Sequence, residues 1–145
     1  MSFQDAVRIC LQQKYARFDG RARRSEFWFF ILFTAIVSAV GGALDAIFGI
    51  RSGTYGGTGP IQGLFQLILL VPTLAAGARR LHDTGRSGWW QLLGLIPVVG
   101  WIILVVLFAQ DSQPANNQHG PNPKSLGEGY GAGSNAPPPP PPQQY

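Results

Sequence analysis

The sequence predicts an all-α fold: a polytopic helical membrane protein with about three transmembrane helices, an N-terminal amphipathic helix and a disordered proline-rich tail. Three observations predict it. Apolar residues make up 46% of the 145-residue chain and charged residues only 12%, about half the charged share of an ordinary globular domain. The apolar residues gather in three blocks, 27–50, 61–78 and 89–109. Beyond residue 109 the composition switches, and nine of the twelve prolines lie there.

The first block, FWFFILFTAIVSAVGGALDAIFGI, carries one charge, Asp45, near its far end. As a helix it spans about 36 Å, enough to cross a hydrocarbon core of about 30 Å with some tilt. It is too long for the apolar core of a signal peptide, so it is expected to remain as an anchor. Ala35, Ala39 and Ala43 recur every fourth residue, as do Ser38 and Gly42, a spacing that lets helices approach closely. The second block, IQGLFQLILLVPTLAAGA, is about 27 Å long as a helix, with Gln62 and Gln66 one turn apart and Pro72 inside it. The third, WWQLLGLIPVVGWIILVVLFA, is uncharged and about 31 Å long as one helix. Blocks one and three show no polar stripe, which a helix on the surface of a soluble domain would need.

Lys and Arg placement orients the spans. Six cations precede the first block, Arg51 alone lies between the first two, Arg79, Arg80 and Arg86 lie in the next junction, and Lys124 alone follows the third. By the positive-inside rule the N-terminus and the 79–88 junction are cytoplasmic. Three full crossings then put the 51–60 segment and the tail on the opposite side.

The connecting segments carry their own signals. Phe3, Val7, Cys10, Leu11, Tyr15 and Phe18 form one apolar helical face after Ser2, a candidate N-cap; such a helix lies in the headgroup plane or packs on the spans. Asp19-Gly20 is expected to end it, Ser25 to cap the first span and Ser87 the third. Asp45 is expected at the outer interface. The segment 51–60 reads as a flexible turn. Residues 116–123, NNQHGPNP, are turn chemistry able to fold back onto the domain, and the six prolines at 137–142 suit a polyproline II segment.

The single cysteine excludes an internal disulfide, and one Cys with two His falls short of a zinc ligand set. His82 beside Asp83 invites a catalytic reading, but neighbours on a helix point about 100° apart and no nucleophile accompanies them. A turn in which Asp83 bridges Arg80 or an arginine of the N-terminal segment is favoured. Basic residues beside an apolar span point to anionic phospholipid rather than nucleic acid.

Three strings, GRARRSEFW (20–28), ARRLHDTGRSGWW (78–90) and NQHGPNP (117–123), together resemble the DUF805 family of small bacterial inner-membrane proteins. The likeness covers about residues 1–123, taken as one membrane domain, with 124–145 as an appended tail. It implies a multi-pass protein of the bacterial inner membrane and supplies no reaction. Gly20, Arg21, Arg23, Arg24, Glu26 and Trp28 match the first pattern; Arg79, Arg80, Leu81, His82, Asp83 and Trp89 the second; Gly120, Pro121 and Pro123 the third. An aromatic often precedes the last Gly-Pro pair in that family, where this chain has His119.

The candidate interaction or structural cluster is therefore Arg21, Arg23, Arg24, Glu26, Trp28, Arg79, Arg80, His82, Asp83, Arg86 and Trp89, with no catalytic, cofactor or metal role assigned. The leading expectation is a non-enzymatic component whose Arg/Trp-rich rim contacts anionic phospholipid or a protein partner, another copy of itself included. The alternative is an oligomeric carrier in which Asp45, Gln62, Gln66 and the Pro72 break line a polar path.

Overall fold

The computed structural model describes residues 2–50 and 57–124, and every element among them is helical. The expectations for residues 51–56 and for the tail beyond Lys124 lie outside the described residues. Helix α1 (Phe3–Arg8) starts where Ser2 and Asp5 form a capping box: Ser2 Oγ accepts from Asp5 N at 3.2 Å and Asp5 answers Ser2 N at 3.2 Å. The chain continues into a π-helical turn, Ile9–Gln13. The helical face expected over residues 3–18 thus stops at Lys14, and Gly20 serves the following loop at φ +84°.

Helices α2 (Arg24–Ile47) and α3 (Pro60–Asp83) have 24 residues each, about 36 Å, and both are apolar and long enough to span a bilayer. Helix α2 begins one residue before Ser25, so Ser25 caps nothing. Helix α3 ends in a Schellman motif: Arg86 N donates to Leu81 O (2.9 Å) and Gly85 N to His82 O (3.0 Å), with Gly85 at φ +76°.

The two helices approach through Gly41, where a Cβ would lie 2.9 Å from Gln62 Cα. The alanines 35, 39 and 43 are exposed instead. Asp45, near the far end of α2, is buried rather than turned to headgroups or water: its carboxylate accepts from Ile61 N (3.1 Å) and Gln62 N (2.9 Å). It caps α3 from a neighbouring helix, because Gly59 at the N-cap has no side chain to do so. Both its oxygens serve this cap, Gln66 is exposed, and Pro72 is buried.

The third apolar block is two limbs rather than one helix. A 3-10 segment, Gly88–Leu95, capped by Ser87, runs about 16 Å. The chain then reverses at Pro97-Val98, and α4 (Val99–Ala109) returns about 16 Å. Pro97 is the cause, since it disfavours helix at Ile96 and removes a donor. Trp101 Nε1 donates to Gly94 O (2.9 Å) and ties the limbs. The returning end reaches α3 again: Arg80 donates to Phe108 O (2.9 Å) and to Gln110 O, and Arg86 to Gln110 Oε1 (2.5 Å). Residues 112–124 therefore lie beside the first two motif strings, not across the molecule from them.

The core beneath this end contains Cys10, Phe27, Phe30, Leu69 and Ala76, with Leu11 and Phe108 against it. The N-terminal helix thus packs on the spans. Burial pushes the Cys10 thiol up from its ordinary range, opposed by the Arg79 guanidinium nearby.

Candidate functional site

All three motif strings converge at one end of the α2–α3 pair. Asp83, in the last turn of α3, is wholly buried and accepts from Arg21 Nε (2.9 Å), Arg80 Nη1 and Ser112 Oγ. Arg21 uses all five of its N–H donors: on Asp83 Oδ1, on the carbonyls of Asp83 (3.3 Å) and Gln113 (2.7 Å), and on those of Ala115 (2.9 Å) and Gly120 (3.3 Å). One guanidinium thereby gathers the loop before α2, the end of α3 and the 113–120 segment. Arginine suits this because its fork of donors is fixed and it keeps its charge when buried.

Arg79 pairs with Glu26 across α3 and α2, and its Nη2 lies 3.6 Å from Cys10 Sγ. Three buried arginines thus face two buried carboxylates, and Arg79 Nε has no hydrogen-bond partner. Arg80 closes the carbonyls at the C-terminus of α4, where the helix dipole favours a cation. Arg24, exposed, adds a bond to Ala109 O (3.2 Å) and sits 3.8 Å from Asp111. Arg23 donates to Pro123 O and Lys124 O, both at 2.8 Å.

His82 does not engage Asp83. Its Nδ1 lies 3.2 Å from Gly20 O, an acceptor only, so the hydrogen bond places the proton on Nδ1. Its ring stacks on His119, centroids 3.9 Å apart and planes 4° apart; the histidine that replaces the family's aromatic still supplies a ring. Trp28 packs edge-on to Phe27, while Trp89 is 77% exposed.

The structure thus brings Arg21, Arg80 and Asp83 together, and Arg79 with Glu26. It corrects one expectation: Arg79 and Arg80 were expected to reach lipid, yet both are fully buried and spent on internal acceptors. Sequence reasoning missed Ser112, Gln110 and Gln113, which carry no periodicity and act largely through backbone or short polar groups. It also missed a cleft of about 680 Å³ beside the cluster, whose walls include Asp5, Arg8, Lys14, Arg23 and His119 and whose floor includes Arg21 and Glu26. Among the described residues no group of His, Cys, Asp and Glu is arranged to hold a metal.

The chain is similar to inner membrane protein YhaH of Escherichia coli (strain K12), 44% identical over 112 residues that cover 77% of this chain and 91% of that protein. Inner membrane protein YhaI of the same organism is 39% identical over 116 residues, 80% of this chain and 93% of that one. The uncharacterized protein YiiR is 31% identical over 98 residues, 66% and 59%. No solved structure matches. The family described as "Protein of unknown function (DUF805)" matches residues 15–121, which include all or most of each convergent string. Two long apolar helices closed at one end by motif arginines, in a chain so similar to inner membrane proteins, lead to one conclusion: this is an inner-membrane protein, and it belongs to the DUF805 family.

Proposed function

We propose that this chain is a non-catalytic component of the inner membrane whose basic end faces the cytoplasm and contacts anionic phospholipid. The observation that carries this reading is charge placement in the folded chain. Ten of the eleven lysines and arginines lie at the end where the N-terminal segment, the α3–Gly88 junction and residues 110–124 meet, and Arg51 alone lies between α2 and α3. Internal carboxylates and carbonyls occupy Arg21, Arg79 and Arg80. Arg8, Arg17 and Arg24 stay exposed. Each such cation near an anionic surface contributes about 1 kcal/mol, screened by salt.

In this reading α2 and α3 cross the bilayer, and the limbs 88–95 and 99–109 dip to about half its depth and return. The first limb packs on α3 at its shallow end, Gly88 against Ala78, and the side chains at the reversal, Leu95, Ile96 and Val98, are apolar and exposed. The test is lipid retention after extraction from mixed bilayers. Phosphatidylglycerol should be retained over phosphatidylcholine, with the preference falling as salt rises. Equal retention of the two lipids at low salt would reject the reading.

A further inference from the structure

We infer that the cleft beside Arg21 and Glu26 is a discrete site for a phosphate group, and that the phosphate belongs to one anionic phospholipid headgroup. The inference rests on the proposed cytoplasmic basic end and narrows it from a surface to a cavity.

The cleft's floor is already satisfied. Arg21 has spent its five donors and Glu26 holds Arg79, so both are buried and fixed. The walls are different. The Arg8 and Lys14 side chains make no hydrogen bond or ion pair among the described residues, and Lys14 bonds only through its backbone. Arg23 places Nε and Nη2 on carbonyls, and Nη1 is not engaged in those bonds. The one carboxylate on the wall, Asp5, caps Ser2 and keeps its charge, so the lining sets four cations, Arg8, Lys14, Arg21 and Arg23, against two carboxylates, Asp5 and Glu26. The ion cluster behind the floor carries one more cation than anion, with Arg79 Nε unpartnered. The cavity is thus positive on both sides, and an anion is the ligand that completes it.

Two further features point to phosphate at a membrane surface. The π-helical turn Ile9–Gln13 brings Gln13 and Lys14 to the same cleft as Asp5, Arg8 and Ile9; π turns are frequent at functional sites. The cleft also opens at the end of α2, level with where a span meets headgroups, and a volume of about 680 Å³ is within the range of small-ligand pockets. Lys as a point charge and Arg as a fork both suit phosphate oxygens.

The experiment uses the full chain in mild detergent, with phosphatidylglycerol counted per chain by native mass spectrometry. Three forms are compared: wild type, a cleft pair (Arg8→Gln with Lys14→Gln) and a surface pair (Arg17→Gln with Lys124→Gln) that removes equal charge elsewhere. Wild type and the surface pair should hold one lipid, and the cleft pair should hold it about tenfold more weakly or worse. A charge-keeping form, Arg8→Lys with Lys14→Arg, should restore retention, which separates lost binding from lost folding. Millimolar inorganic phosphate or glycerol phosphate should not displace the lipid; displacement would overturn the lipid assignment in favour of a soluble phosphate ester. Equal weakening by both pairs would overturn the cleft while leaving the basic end intact. No retention by wild type would remove the underlying reading itself.

Discussion

The Tyr15 hydroxyl donates to the carbonyl of Ile68. That carbonyl is the one Pro72 leaves without a helical donor, since proline has no N–H to offer four residues back. Helix α3 therefore passes through Pro72 without ending, and the N-terminal segment is pinned to its side. Thr73 satisfies the next carbonyl, Leu69 O, at 2.6 Å.

Removing the hydroxyl should matter only while the proline is present. Tyr15→Phe is expected to destabilise the wild-type protein by about 1 kcal/mol. In a Pro72→Ala background, where an N–H returns to Ile68, the same change should cost close to nothing. Detergent-denaturation curves for the four proteins give the coupling, and simple additivity would contradict this role for Tyr15.

Asp83→Asn should be far more damaging than a surface change of the same kind. It takes the shared anion from Arg21 and Arg80, and breaking a buried pair from one side costs about 3–5 kcal/mol. Asp111→Asn, at an exposed carboxylate that pairs with Lys124 at 2.5 Å, should leave the midpoint nearly unmoved because solvent screens it. Comparable losses at the two positions would mean that the cluster does not hold the fold.

The cap on α3 needs both Asp45 and the absence of a side chain at residue 59. A Cβ on Gly59 would lie 2.2 Å from the Asp45 carboxyl carbon. Gly59→Ala should therefore lower the thermal midpoint, whereas in an Asp45→Gly background, which removes the Cβ at 2.6 Å as well as the carboxyl group, the same substitution should cost less. Equal effects in both backgrounds would show that the crowding lies elsewhere.

At the reversal of the third block, Val98 sits at φ 64° and ψ −69°, with Val99 N donating to Pro97 O at 2.8 Å. A β-branched residue there is strained. Val98→Gly should stabilise the chain by about 1 kcal/mol, the relieved strain exceeding the added chain entropy. Gly100→Ala should do the opposite, since its Cβ would lie 1.8 Å from the Leu93 carbonyl oxygen. A destabilised Val98→Gly would rule out this turn.

Burial raises the Cys10 thiol pKa above its ordinary value near 9. An acid held above its unfolded pKa costs stability once the unfolded chain ionises and the folded chain does not. Stability should therefore fall as pH rises through the ordinary thiol range toward the folded value. The decline should be smaller in Cys10→Ala, and identical pH profiles for the two proteins would contradict a buried neutral thiol.

Much of this was legible in the sequence, for stated reasons. Apolarity without a polar stripe over 27–50 required a helix in lipid, the length of 61–78 suited a second, and the pairing of Asp83 with Arg80 or an N-terminal arginine followed from a charged turn beside a bilayer. What escaped was long-range. Nothing local says that Tyr15 meets Ile68, that Asp45 caps a helix beginning fifteen residues later, or that Arg21 collects three carbonyls near residues 113–120. The third block misled because its length and hydropathy suit one helix, while Pro97 and Gly100 act on backbone geometry that hydropathy does not register. The alanine spacing in α2 was real, but Gly41 provides the close approach.

The central claim is that the third apolar block returns to the face it left, so that residues 110–124 share the side of the N-terminal segment. Single cysteines at Ala16, Gly57 and Gln118 in a Cys10→Ala background, treated with a membrane-impermeant maleimide in intact spheroplasts, test it directly. The expected result is labelling at position 57 alone, with 16 and 118 reacting only after permeabilisation. Labelling of position 118 in intact spheroplasts, with 16 protected, would contradict it.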